Sequence, residues 1–140
     1  MHLVAAAFVL GGVFMNVFIV WPAAKATLGR SGFPLEFLVE EGRRIAPWLY
    51  FGLGMIFLTR VAGLLLAPPV SGAEWSRVVA QAVAWSVMLL NTLHGTRRLW
   101  PAMQFSVGDE GWAIWPRYVR RGQITFGCAL VVFVLSASRP

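Results

Sequence analysis

Four long stretches of this chain are hydrophobic at almost every position, with few polar interruptions and no alternation between apolar and polar residues. They cover about residues 3–22, 47–67, 78–95 and 122–137. An α-helix crosses the ~30 Å hydrocarbon layer of a bilayer in ~20 residues. Each stretch is therefore read as a membrane-spanning helix, the fourth short enough to start earlier or to tilt. Inside lipid the backbone must satisfy its own hydrogen bonds, which leaves helices or closed barrels, and barrel strands alternate. The pattern predicts an all-α, four-helix transmembrane bundle, one domain over residues 1–140. The first stretch has no basic residue before it and a basic flank after it, the reverse of a signal peptide, so it is read as a retained helix.

The connecting segments refine this. In 31–44, SGFPLEFLVEEGRR, Pro34 stands where a helix would start and apolar residues mix with Glu36, Glu40 and Glu41. This predicts a short helix lying in the membrane interface, as does 111–122, GWAIWPRYVRRG. Composition agrees with the membrane reading: 58% of residues are hydrophobic and 13% charged, against ~45–50% and ~25% in an ordinary soluble domain. The net charge is +6. Lys25, Arg30, Arg43, Arg44, Arg97, Arg98, Arg117, Arg120 and Arg121 fall on one side of the predicted bundle, and only Arg77 and Arg139 on the other. That asymmetry puts the nine-residue side in the cytoplasm and both termini outside it, in a bacterial-type inner membrane. The basic excess then faces anionic lipid rather than nucleic acid. Trp21, Trp48, Trp100, Trp112 and Trp115 flank the basic side and Trp75 the other, as interfacial anchors do.

Candidate chemistry is sparse. The four stretches contain no Asp or Glu. No phosphate loop, dinucleotide fingerprint, HExxH or CxxC occurs, and no nucleophile, base and acid can be assembled. A single cysteine, Cys128, makes no disulfide or metal cluster and reads as a small core residue. His2 opens the first helix on the outer side. Neutral imidazole binds iron, copper and zinc, and the Met1 amine and thioether stand beside it. His94 closes the third helix near the basic side, roughly 20 Å or more from His2 along the membrane normal at the helical rise. One haem iron does not take both. Arg60 stands past the middle of the second helix, at a cost of ~2.5 kcal/mol or more on insertion scales. It is expected to face the bundle interior, its partner being a water cavity, backbone carbonyls, a lipid phosphate, a neighbouring subunit's carboxylate or an anionic cofactor. Asn16 lies 14 residues after His2 and near the same helix face. Gly11, Gly12, Gly52, Gly54 and Gly63, with the alanines at 5–7, are expected to let helices approach closely.

Taken together, HLVAAAFVLGG in the first helix, TRVAGLLLAP ending the second, Trp75 and Arg77 before the third, and LLNTLH closing it resemble the CopD superfamily of small four-helix membrane proteins. That group includes the copper-resistance D domain and the HemJ-type protoporphyrinogen oxidases. The resemblance covers most of the chain. It implies a redox cofactor, b-type haem in one branch and copper in the other, with His2 and His94 at the matching positions and Arg77 as the basic residue opening helix three. HemJ-type sequences start helix four with an Asn-Glu-Pro-like motif, and this chain has Arg121, Gly122 and Gln123 there, which leaves its standing as an enzyme open. Three readings follow: a haem-binding electron-transfer protein with Arg60 on a propionate, a copper-handling protein entered at Met1 and His2, and an accessory subunit of a larger membrane complex.

Overall fold

A computed structural model describes residues 1–28, 32–107 and 110–138; Arg30 and Arg139 lie outside these. Among the described residues the chain is helical, with no strand. Four helices are long and apolar enough to cross a membrane: α1 His2–Thr27, α2 Leu35–Leu66, α3 Gly72–Gln104 and α4 Glu110–Ala137. The chain has the architecture of a multi-pass membrane protein.

Each helix outruns its apolar stretch. The segment expected as a separate interfacial helix is instead the first part of α2, which runs unbroken through Pro47 with Pro34 just ahead of it. Residues 111–122 are likewise the first part of α4, with Pro116 inside it. A helical proline deletes one hydrogen bond, whereas a break beside lipid would strand several backbone groups, so continuing the helix is the smaller cost. At its other end α3 starts before its stretch because Ser71 caps it. The Ser71 hydroxyl accepts from the Glu74 N–H, and the Glu74 carboxylate accepts from the N–H groups of Val70 and Ser71, satisfying donors a helix start leaves open.

The core runs along one ridge of α1. Ala5, Val9, Val13, Val17 and Trp21 recur every four residues and are all buried, as the helical repeat requires of a single stripe. They meet Leu53 and Ile56 of α2 and Ala129 and Val132 of α4 in one cluster, with Met88 of α3 fully enclosed. α4 packs against both α1 and α3, and α1 against α2, while α2 meets α3 at few points. Of the glycines expected to bring helices together, Gly52 does so: a Cβ there would stand 2.5 Å from Val9. Gly11, Gly12, Gly54 and Gly63 have nothing within 4 Å of that position. They lie where no neighbouring helix comes close.

All four helices carry a proline toward the basic end: Pro22, Pro47, Pro101 and Pro116. In α1 and α3 the turn before the Trp-Pro pair widens into π-helix, over Met15–Val20 and Gly95–Leu99. The proline ring would strike the carbonyl four residues earlier, which belongs to Phe18 or Arg97. Both carbonyls sit inside the widened turns, where the extra residue relieves the clash. These irregular turns surround the site described next.

Candidate functional site: a polar cavity at the basic end

A cavity of about 530 Å³ opens inside the bundle at the basic end, lined by all four helices. Its apolar wall includes Val13, Val17 and Leu49, and Trp21, Trp100 and Tyr118 supply rings. Tyr118 stacks between the tryptophans, with centroids 4.9 Å from Trp21 and 5.9 Å from Trp100.

Polar groups reach the same space from different helices. The Trp21 indole N–H donates to Glu41 across 3.0 Å. Thr96 donates its hydroxyl to the Thr92 carbonyl at 2.8 Å, so the Tyr50 hydroxyl donates to Thr96 at 2.5 Å. Arg121 Nη1 donates to Asn91 Oδ1 at 2.9 Å. Asn16 lines the cavity too. Two further polar atoms, Asn91 Nδ2 and Thr92 Oγ1, are buried without a hydrogen-bond partner, a state that costs about 1–3 kcal/mol per group unless something else satisfies it.

Charge is unevenly compensated. Among the described residues the ion pairs are those of Arg43 and Arg44 with Glu40, at 3.0 and 2.6 Å. Arg121 is half-buried and rests on a neutral amide, whereas Arg117 and Arg120 point outward. Sequence reasoning counted all three alike as flanking charge. The signal that separates them is spatial: Arg121 is a 100° step round from Arg120, and it lies one turn further along α4 than Arg117, at the level where Asn91 of α3 meets it.

The far end holds the other expected residues. His2 Nδ1 lies 2.9 Å from Thr59 Oγ1, and Thr59 gives its own hydrogen to the Met55 carbonyl at 2.6 Å. Nδ1 is therefore the donor in that contact. Nε2 is buried. Arg60 follows Thr59 and is half-buried, and Met1 is 85% exposed. His94 sits at the basic end with its side chain exposed; Gly95 and Thr96 beside it line the cavity, but His94 does not. The structure thus joins Asn16 with Asn91 and Arg121, joins His2 with Thr59, and keeps His2 and His94 at opposite ends. Cys128 is half-buried.

These positions test the cofactors that the resemblance implies. No imidazole, thioether or thiol lines the cavity, so its residues do not fit a haem held there by any of these axial ligands. Among the described residues no three His, Cys, Asp or Glu side chains are grouped to hold a metal. No family model, curated protein or solved structure matches the chain.

Proposed function

We propose that this chain is a ligand-binding protein of a bacterial-type inner membrane, that its basic end faces the cytoplasm, and that its ligand is an amphipathic molecule held in the basic-end cavity. The observation that carries this is the lining itself. Apolar and aromatic walls are joined by a few converging polar groups, two of them buried and unsatisfied. That is the usual make-up of a small-molecule site, and the volume is in the usual range of ~300–1,000 Å³. Native mass spectrometry of protein released from lipid nanodiscs tests it. A bound amphiphile is expected on the native chain. Ala46→Trp, which places an indole in the cavity, should lose it. An empty native chain, or equal retention in the variant, overturns the reading.

A redox-cofactor role of CopD-like type, with b-type haem or copper, is favoured by a different observation at the other end. The hydrogen-bonded Thr59 presets His2 in the tautomer that ligates through Nε2. Because Nε2 is buried, a metal reaches it only if the first turn of α1 moves, and further ligands come from outside this chain. A dithionite-reduced minus air-oxidised spectrum, with metal analysis, decides this. A Soret shift or stoichiometric copper, lost in His2→Ala, supports it. A flat spectrum and no metal, from cells with ample haem and copper, remove it.

A further inference from the structure

The cavity wall carries a cationic side chain beside neutral polar ones. Arg121 enters from α4 and Asn91 and Thr92 from α3, and all three line the same space. Guanidinium carries five N–H donors. Its hydrogen-bond acceptor here is the Asn91 carbonyl oxygen, which is uncharged. Holding that oxygen on Arg121 turns the Asn91 amide so that Nδ2, a donor, is the atom left buried and unsatisfied. Thr92 is 7% exposed, and its Oγ1 is also unsatisfied. A helical threonine commonly gives its hydroxyl to the carbonyl four residues earlier, as Thr96 does. Thr92 keeps its hydrogen available. One half-buried positive charge and two unsatisfied neutral donors therefore belong to residues of the same wall.

Glu41 is the carboxylate on the wall, and it is turned to the Trp21 indole on the α1–α2 side. It makes no ion pair with Arg121 within 4 Å; Arg43, also on the wall, is paired to Glu40. Among the described residues, no carboxylate lies within 4 Å of Arg121 to pair its charge. Water can solvate the guanidinium, and an anion additionally pairs its charge through charge-assisted hydrogen bonds.

We propose that the head group of the cavity's ligand is an anion, the carboxylate or phosphate of a membrane amphiphile, docked on Arg121, with the buried donors of Asn91 and Thr92 rotating to it as accessory donors. This rests on the cavity being a ligand site. The apolar chain of the ligand lies along Val13, Val17 and Leu49, and the anion pairs the charge of Arg121.

Saturation binding to the full chain in detergent tests it, with tritiated palmitate, tritiated methyl palmitate as its neutral analogue, and tritiated phosphatidic acid. Palmitate or phosphatidic acid is expected to bind saturably, and the tighter of the two shows whether the anion is carboxylate or phosphate. Methyl palmitate should bind about tenfold or more weakly, and Arg121→Gln should impose a similar loss on the acid, as charge-assisted hydrogen bonds require. Arg121→Lys should recover part of it, and Thr92→Val should cost about threefold or more. Equal binding of acid and ester, with no effect of Arg121→Gln, overturns the anion and leaves an amphiphile site. No saturable binding of any probe, with Ala46→Trp indistinguishable from the native chain, overturns both. Should Arg121→Gln fail to fold, the acid–ester comparison on the native protein and the Arg121→Lys variant decide between these outcomes.

Discussion

Gly122 and Gly54 make a controlled pair. A Cβ on Gly122 would stand 2.7 Å from the Trp21 ring and 2.8 Å from Val17, while one on Gly54 meets nothing within 4 Å. Trp21 has little room to yield, being 7% exposed and hydrogen-bonded to Glu41. Gly122→Ala is therefore expected to destabilise the fold by about 1–3 kcal/mol, the usual cost of overpacking. Gly54→Ala should be neutral or slightly stabilising, because alanine favours the helix by up to ~1 kcal/mol. Thermal unfolding midpoints in one detergent check both; a larger drop for Gly54→Ala would contradict the packing described. At this scale the sequence was only partly legible. Phe8 and Leu65 face outward and Val9 and Leu53 inward, yet all are apolar, because lipid and core make the same demand of a side chain. Arg121 was hidden for a related reason, since it directly follows arginines that do face outward. Asn16 was legible as a polar residue in a span, though its partners were not.

The helices were legible as elements because lipid imposes a length and a composition that few other environments do. Their ends were not. Pro34, Pro47 and Pro116 look like boundaries in sequence, and two of the three lie inside helices. Two other prolines, Pro22 and Pro101, explain where the cavity lies. In a regular α1 or α3, Asn16, Thr96 and the tryptophans that follow would take different angular positions, since a π-turn shifts the register of everything beyond it. Replacing Pro22 or Pro101 with alanine restores a backbone N–H and removes the ring clash. Each variant is expected to raise the unfolding midpoint or leave it unchanged, while lowering retention of a bound amphiphile by about threefold or more as the wider turn closes. Unfolding midpoints and native mass spectra read the two effects separately. A loss of stability with unchanged retention would show that the widened turns serve packing alone.

For the whole molecule, charge distribution is the guide. The described basic residues other than Arg60 and Arg77 gather at one end of the bundle, so the positive-inside bias predicts that this end is cytoplasmic. In a Cys128→Ala background, Ser138→Cys should react with a membrane-impermeant maleimide on intact cells, and Thr27→Cys only after permeabilisation. The reverse pattern would invert the orientation and place the cavity toward the other compartment. Helix connectivity also sets how the cavity is reached. α2 and α3 meet at few points, bridged by the Tyr50–Thr96 bond at the cavity and, deeper in, by the Trp85 indole donating to the Leu53 carbonyl at 2.9 Å. On the proposed reading, a seam closed by so few contacts opens the site toward acyl chains rather than water, and the leaflet is the reservoir from which it fills. Occupancy should then follow the mole fraction of ligand in the membrane. Diluting a proteoliposome sample with buffer should leave the site filled, and fusing it with ligand-free lipid should empty it.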